Sequence, residues 1–188
     1  MNAPGFSEVL DFWFGAPDSP ERGRPRKTWF RKSEIFDAEI RRRFLATWEF
    51  AERGELERWR ETPLASLVLI IVLDQFPRNM FRGTARAFSS DFLALSVARS
   101  MTERGFDRLL SPAERGFAYL PFEHAEDLAA QRRSLALSEA LDPEHIGYAR
   151  RHYEIIARFG RFPHRNAMLG RESTPEEIEF LKQPGSSF

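Results

Sequence analysis

Two short stretches of the sequence place arginine and asparagine directly after a Phe-Pro pair. Residues 74–83 read DQFPRNMFRG, and residues 160–166 read GRFPHRN. The guanidinium group of arginine matches carboxylate or phosphate through forked hydrogen bonds. These stretches therefore predict a binding site for a small anionic ligand. Its candidate residues are Arg78, Asn79, Arg82, Arg161, His164, Arg165 and Asn166.

The same pattern also has a purely structural interpretation. Arginines favour helix C-termini, where they offset the helix dipole, and asparagines close turns. The sequence leaves both interpretations open for the two Phe-Pro stretches. A nearby Asp74-Gln75 pair and Arg171 add further polar groups to the same regions.

Histidines and one glutamate suggest a second chemistry. Glu123 and His124 stand together in the stretch PFEHAED, and His164 follows the second Phe-Pro pair. Histidine titrates near neutrality and carries a proton in either direction. The alternative function is therefore hydrolysis of a phosphorylated or acylated small molecule, with Glu123, His124 or His164 as acid and base. Whether the protein is an enzyme stays open.

His152 is a weaker candidate for the same site. It lies on an apolar helical stripe with Tyr148, Ile155 and Phe159, which is typical of a hydrogen-bonded core histidine. We keep it among the ligand-binding candidates, because the helix that carries it leads directly to the second Phe-Pro pair.

Composition and missing motifs narrow the function classes. Cysteine is absent, the formal net charge is zero, and the sequence contains neither G-x-S-x-G nor a phosphate-binding or dinucleotide-binding glycine loop. No two histidines have the spacing of H-E-x-x-H, so we expect no metal and no cofactor. Zero net charge argues against a nucleic-acid partner.

The apolar runs and the N-terminal residues bear on the cellular location of the protein. The longest apolar run, residues 64–73, is too short to span a bilayer. The first fifteen residues lack the basic region and cleavage site of a signal peptide. We expect a cytoplasmic protein without a membrane partner.

Helix signals recur along the chain, and no alternating stretch is long enough to suggest a sheet. The sequence predicts an all-α fold of about seven to nine helices, paired as antiparallel hairpins in one domain over residues 1–188. Residues 16–27 are expected to form a surface loop. Such a stack of hairpins leaves a third function open, that of a protein-interaction scaffold with an extended apolar groove.

Specific boundaries are predicted for the helices that flank the candidate residues. A central apolar helix begins at Pro63, after Thr62, and halts before Pro77. A turn at Pro121 precedes a helix over 123–141, and Asp142-Pro143 begins the next one, which ends at Gly160. The stretches 111–114 and 173–177 predict capping boxes.

Several long motifs resemble a known bacterial family. These are VLDFWFG, LIIVLDQFPRNMFRGTARAF, ERGFAYLPFEHAEDLAAQ, HYEIIARFGRFPHRNAMLGRESTPEEIEFL and the closing PGSSF, which occur in order over 6–188. They resemble the family known as domain of unknown function 924. The resemblance implies an all-helical fold of the tetratricopeptide-like class and implies no established activity.

Together these features predict one polar site built from three segments. The segments RFPHRN and QFPRN are expected to face each other, with Phe122, Glu123 and His124 as the third wall. The central helix and the helices over 123–141 and 143–159 are expected to bring them together.

Overall fold

Helices make up all the regular structure in residues 5–20, 22, 24, 26–29, 31–141 and 143–188, the part of the chain that the computed structural model describes. This confirms the predicted all-α fold. Seven helices are uninterrupted: α1 (Phe6–Phe14), α2 (Glu34–Glu52), α4 (Asp91–Glu103), α5 (Pro112–His124), α6 (Leu128–Glu139), α7 (Pro143–Phe159) and α8 (Pro175–Leu181). Helix α3 combines Pro63–Ile70, a π turn at Ile71–Gln75, and Phe76–Met80.

Short 3-10 turns connect these helices. They are Lys27–Trp29, Glu57–Glu61, Ala85–Phe88, Phe106–Leu109 and Pro163–Arg165. Two of them matter for the candidate site, because Ala85–Phe88 leads into α4 and Pro163–Arg165 is the second Phe-Pro stretch.

The central helix α3 continues through Pro77, so the prediction that it halts there is wrong. Proline lacks an N–H, which would leave the carbonyl of Leu73, four residues earlier, without a helical donor. The π turn Ile71–Gln75 widens the helix at this point, and the hydroxyl of Ser90 donates to the Leu73 carbonyl at 2.6 Å. A donor from the residue that precedes α4 thus replaces the bond that Pro77 cannot make.

Pro121 also lies inside a helix, which corrects the predicted turn and the predicted helix over 123–141. Helix α5 runs on to His124, and the chain then breaks before α6. The break is held by Asp127, whose side chain accepts hydrogen bonds from the N–H groups of Ala129 and Ala130. The missed signal is therefore an aspartate N-cap, one of the strongest helix-start signals.

The other predicted helix ends are largely confirmed. Ser111 with Glu114 and Thr174 with Glu177 form the two predicted capping boxes. Gly160, which follows α7, has the positive φ of 69° that glycine adopts without strain. The predicted cap Asp142 lies outside the described residues.

Helix α3 lies at the centre of the hydrophobic core. Its residues 65–77 are all buried, and they pack against aromatic side chains from α1, α2 and α5. A smaller apolar cluster joins Ile155, Ile156 and Phe162 near the second Phe-Pro stretch. The buried polar residues of the candidate site lie on α3, on α5 and beside this second cluster.

Two arginines between α1 and α2, Arg22 and Arg26, donate hydrogen bonds to the end of α1. Arg26 donates to the carbonyls of Phe12 and Trp13 at 2.7 and 3.0 Å, and Arg22 donates to Gly15 at 2.6 Å. These bonds satisfy carbonyls at the C-terminal end of α1. In the described parts of the chain, no helix combines the length and hydropathy that crossing a membrane requires.

Candidate functional site

Asp74 is the centre of a buried polar cluster. It lies in the π turn of α3 and is fully buried. His124 Nδ1 approaches it at 2.8 Å, the amide of Gln75 donates to it at 2.6 Å, and Arg78 lies 3.2 Å away. Burial alone would raise the pKa of Asp74, but Arg78 and then His124 hold this pKa well below its usual range. Asp74 is therefore an ionised carboxylate.

The surroundings of His124 favour its neutral form and one tautomer. Burial, followed by the positive charge of Arg78, lowers its pKa, and Asp74 opposes this only in part. A neutral imidazole beside an ionised carboxylate donates from the nearer nitrogen, so Nδ1 carries the proton toward Asp74. The Nε2 atom is then the proton acceptor. This arrangement is typical of a histidine general base that is oriented by a carboxylate.

Arg78 and Arg165 meet at one carboxylate, that of Asp91. Arg78 forms a bidentate pair with Asp91 at 2.7 and 2.9 Å, and Arg165 reaches the same carboxylate at 3.4 Å. Asp91 is the first residue of α4, and the preceding Ser90 is bonded to α3. The two Phe-Pro stretches therefore converge in space at this point.

Arg165 is buried in an aromatic cradle. Its side chain is 8% exposed, and its guanidinium carbon lies 4.7 Å from the ring centre of Phe88 and 4.5 Å from that of Phe162. The Nε atom has no hydrogen-bond partner among the described residues. Burial and then the charge of Arg78 lower the pKa of Arg165 to about 10, so the guanidinium stays charged at neutral pH.

Glu123 and His152 form the next part of the cluster. His152 Nδ1 lies 3.4 Å from Glu123 and 3.0 Å from the carbonyl of Tyr148. Burial and the nearby charge of Asp74 raise the pKa of Glu123 to about 7. Burial and then His124 lower the pKa of His152 to about 3. Glu123 thus holds or releases a proton near neutral pH, while His152 stays neutral.

His164 completes the group of three imidazoles. Burial and then Arg165 lower its pKa to about 4. Its Nδ1 is buried and has no hydrogen-bond partner within the described parts of the chain. The ring of Phe188 packs between His164 and His152, with ring centres 5.9 and 3.7 Å away.

The chain matches, over residues 9–185, the family described as a bacterial protein of unknown function, DUF924. It belongs to this family. A solved structure of a protein of unknown function from Agrobacterium tumefaciens is similar to it, with 43% identity and a TM-score of 0.86. The match covers 94% of this chain and 96% of that chain. No curated protein matches the chain. Membership in DUF924 confirms the resemblance seen in the motifs and assigns no activity.

Two predicted site residues of this DUF924 protein lie on a different face. Asn79 donates to Asp37 at 2.8 Å, and Arg82 forms a bidentate pair with the same carboxylate at 3.0 Å. These bonds join the end of α3 to the start of α2. The first Phe-Pro stretch therefore sends Arg78 toward the cluster and sends Asn79 and Arg82 away from it.

Arg161 and Asn166 hold the segment that leads into α8. Arg161 forms a bidentate pair with Glu177 at 2.7 and 2.8 Å, and Asn166 donates to Ser173 at 3.0 Å. Asn166 also accepts a hydrogen bond from Arg171. These contacts have the structural character that the sequence had left open for the arginines and asparagines. A ligand-binding role for either residue stays a prediction.

Several members of the DUF924 cluster were not predicted as site residues. They include Asp91, Phe88 and Phe188. Glu126 was also missed, although it accepts from the Phe162 N–H and pairs with Arg171 at 2.6 Å. Asp91 and Glu126 are each an acidic residue at a helix boundary near a cationic stretch. This pattern is so common in proteins that it does not identify a site residue by itself.

The cluster holds imidazoles and carboxylates without the geometry of a metal site. In the described ranges, no three of the histidine, aspartate and glutamate side chains are arranged to hold an ion. What the cluster does present is an oriented histidine, a carboxyl group that titrates near pH 7, and a buried guanidinium. The last of these is suited to anion binding and the first two to proton transfer.

Proposed function

We propose that this protein binds a small anionic ligand, a carboxylate or a phosphate, at the guanidinium group of Arg165. One observation carries the proposal: the buried Nε of Arg165 has no hydrogen-bond partner among the described residues. A buried donor without an acceptor costs about 1–3 kcal/mol, and more when the group is charged. A ligand oxygen at this position would remove that cost.

The charges around Arg165 support the same proposal. Asp91 is its nearest carboxylate, but both oxygens of Asp91 already accept short bonds from Arg78. The contact of Asp91 with Arg165 is longer, 3.4 Å. Asp74 also pairs with Arg78, at 3.2 Å, so both carboxylates of the cluster make their short ion pairs with Arg78 and not with Arg165. An anion beside Arg165 would give this guanidinium a short ion pair of its own.

The proposal also specifies which side chains contact the ligand. Arg78 is held by Asp74 and Asp91, so its role is to position Asp91. His164 lies next to Arg165 in sequence, and its buried Nδ1 has no partner within the described chain. A neutral His164 with its proton on Nδ1 would donate a second hydrogen bond to a ligand oxygen.

Thermal unfolding in the presence of small carboxylates and phosphates tests the proposal. At a concentration near 100 times Kd, a ligand stabilises the folded state by about 2.7 kcal/mol. This corresponds to a rise in Tm of roughly 5 to 10 °C for a chain of this size. The ionic strength is kept constant with sodium chloride, so that only specific binding raises Tm.

Two substitutions to methionine make the test specific. Arg165→Met keeps the length of the side chain inside the aromatic cradle but removes its charge and donors, and should abolish the response. Arg82→Met makes the same chemical change at the exposed pair with Asp37 and should keep the response. An undiminished response in Arg165→Met, or no response of the natural protein to any anion, rejects the proposal.

Acid–base hydrolysis is the second candidate function, and the bond between Asp74 and His124 favours it. This bond leaves His124 Nε2 as an acceptor for a water proton, and Glu123, with a pKa of about 7, can protonate a leaving group. The substrate class would be a phosphorylated or acylated small molecule. In that reaction Arg165 would bind the phosphate or carboxylate group.

A screen of phosphate monoesters and acyl esters tests the second candidate. His124→Gln removes the base and Glu123→Gln removes the acid, and each should lower kcat by at least about 100-fold. Arg82→Met serves again as the control outside the cluster. Activity that persists in both His124→Gln and Glu123→Gln contradicts the assignment.

A further inference from the structure

The ring of Phe188 occupies an aromatic recess beside Arg165. It stacks on the imidazole of His152 at 3.7 Å, with an angle of 19° between the ring planes. Phe162 and His164 contact the same ring edge-on, with ring centres 6.3 and 5.9 Å away and angles of 84° and 79°. One stacked wall and two edge-on walls form a recess for a flat ring.

The side chains of this recess are suited to an uncharged aromatic ring. Phe162 is fully buried and His152 is buried, so the walls are fixed by packing. Burial keeps both histidines neutral, with a pKa of about 3 for His152 and about 4 for His164. Neutral imidazoles pack against an aromatic ring without the desolvation cost of a charge.

Phe188 itself is only loosely enclosed. The residue is 51% exposed, whereas Phe162 and His152, which its ring contacts, are buried. Segment 183–188 has one side-chain hydrogen bond described, from Ser186 to the carbonyl of Leu181 at 3.1 Å, and turns at Gly185 with a φ of 77°. Few interactions would be lost if this segment moved aside.

The aromatic recess and the guanidinium of Arg165 are both in contact with Phe162. Phe162 contacts the Phe188 ring on one side and carries the guanidinium of Arg165 over its own ring, 4.5 Å from the ring centre. His164, the neighbour of Arg165 in sequence, contacts the Phe188 ring edge-on, and its buried Nδ1 has no partner among the described residues. A ring in the place of Phe188 would therefore contact the same phenylalanine that carries the guanidinium of Arg165.

Building on the proposed anion site, we infer that its ligand carries a flat aromatic ring next to its anionic group. The ring of this aromatic anion enters the recess formed by His152, Phe162 and His164. Segment 183–188 occupies the recess in the ligand-free protein, with Phe188 in the place of the ligand ring. Ligand binding therefore displaces Phe188.

Two probes of similar size separate the ring from the charge. Benzoate has a carboxylate on a flat aromatic ring, and cyclohexanecarboxylate has the same carboxylate on a saturated ring. Calorimetric titration should give benzoate about three- to tenfold higher affinity, the amount that a favourable aromatic pair contributes. Arg165→Met should weaken both probes.

Substitutions at position 188 test the competition. Phe188→Leu keeps an apolar side chain but loses the aromatic face, so benzoate should bind to this variant more tightly than to the natural protein. A variant that ends at Pro184 should show a larger gain of the same sign. Phe92→Leu, at an exposed phenylalanine of α4, is the matched control and should leave the affinity unchanged.

Histidine NMR reports the displacement directly. The chain has four histidines, so their C2–H resonances are few enough to resolve. The stacked Phe188 ring shields the imidazole of His152, and Phe188→Leu or saturating benzoate should each move this resonance. A variant that failed to fold would lose the dispersion of all the resonances and is thereby recognised.

The outcomes separate this inference from the proposed function. If benzoate and cyclohexanecarboxylate bind equally and Phe188→Leu changes neither affinity, the aromatic inference is wrong and the anion site stands. If neither probe nor any other anion binds to any variant, the anion site fails and the inference fails with it. Tighter binding of benzoate that increases in Phe188→Leu supports both.

Discussion

Asp74 holds three side chains at once, so its loss should cost far more stability than the loss of a surface carboxylate. Asp74→Asn would leave Arg78 and His124 without their buried anionic partner. Removing one member of a buried pair typically costs about 3–5 kcal/mol. Urea unfolding at pH 7 measures this loss of unfolding free energy.

Asp37→Asn is the matched control for that substitution. Asp37 also accepts from two side chains, Asn79 and Arg82, but the side chain of Arg82 is 41% exposed. Pairs with an exposed partner contribute about 0–1 kcal/mol. Equal losses in the two variants would contradict a special role for Asp74.

Glu123 should make the protein less stable as pH rises through neutrality. Its pKa is raised from 4.5 to about 7 in the folded state, so the folded protein binds this proton more tightly than the unfolded chain does. The contribution of Glu123 is complete below pH 4.5 and is lost as pH rises through about 7. Glu123→Gln should therefore be more stable than the natural protein at pH 8, by about 1–3 kcal/mol.

The pH dependence distinguishes this effect from a simple packing change. Unfolding free energies at pH 5 and pH 8 should show the gain from Glu123→Gln mainly at pH 8. A gain of the same size at both values would mean that Glu123 is not protonated in the folded protein at pH 5. A loss at both would mean that the carboxylate is stabilising.

At the scale of helices, the π turn in α3 is both part of the helical core and the segment that carries Asp74 of the candidate site. Ser90 donates to the Leu73 carbonyl that Pro77 leaves without a partner, and it accepts from Trp48 Nε1 at 3.1 Å. The same residue immediately precedes Asp91, so the contact between α3 and α4 also sets the position of the carboxylate shared by the two arginines. π turns in helices occur frequently at functional sites.

Ser90→Ala should destabilise the protein by about 1–3 kcal/mol, because two buried partners would lose their hydrogen bonds. Urea unfolding measures the effect. Ser89→Ala is the matched control, since Ser89 is exposed and its substitution should change stability by less than about 0.5 kcal/mol. Similar values for the two variants would show that the Ser90 bond does not support the π turn.

The helices that local signals define could be predicted from the sequence, and those that depend on tertiary contacts could not. The capping boxes at Ser111 and Thr174 are complete within four residues, and both were predicted. Pro77 and Pro121 were wrongly predicted to lie at helix ends, since proline usually ends a helix. At Pro77 the missing donor comes from Ser90, thirteen residues away, and local sequence does not reveal such a contact.

The candidate site, like the fold, could be predicted from the sequence only in part. The convergence of the two Phe-Pro stretches was expected, and Arg78 and Arg165 do meet at Asp91. Which of the polar residues would point to the cluster was not predictable, because neighbours such as Arg78 and Asn79 differ only in the face of the helix that they occupy. The direction of each side chain depends on the π turn at Ile71–Gln75, and no local residue pattern predicts this turn.

For the whole molecule, buried neutral histidines predict loss of stability in acid. The pKa values of His152 and His164 are lowered to about 3 and about 4, and that of His124 is also lowered. The unfolded chain binds these protons near pH 6.5 and the folded protein does not, so their contribution is complete above pH 6.5 and is lost as pH falls. Glu123 acts in the opposite direction over part of this range, but it is a single group.

Unfolding free energies measured from pH 7 to pH 4.5 should therefore decrease, by about 1–2 kcal/mol per pH unit. His152→Gln should flatten this dependence, because one of the protons would no longer be taken up on unfolding. A stability that stayed constant or rose on acidification would contradict the neutral state of the three imidazoles.

The central claim is that Arg165 offers a buried and unpaired Nε–H to an anion, and NMR of arginine side chains tests it most directly. The Nε–H resonance of Arg165 can be assigned by its absence in Arg165→Lys and followed during titration with benzoate. The account predicts a saturable shift of this resonance and no shift for Arg161, which is paired with Glu177. A resonance of Arg165 that stays unchanged up to saturating benzoate, or one that shifts only as much as that of Arg161, would contradict the account.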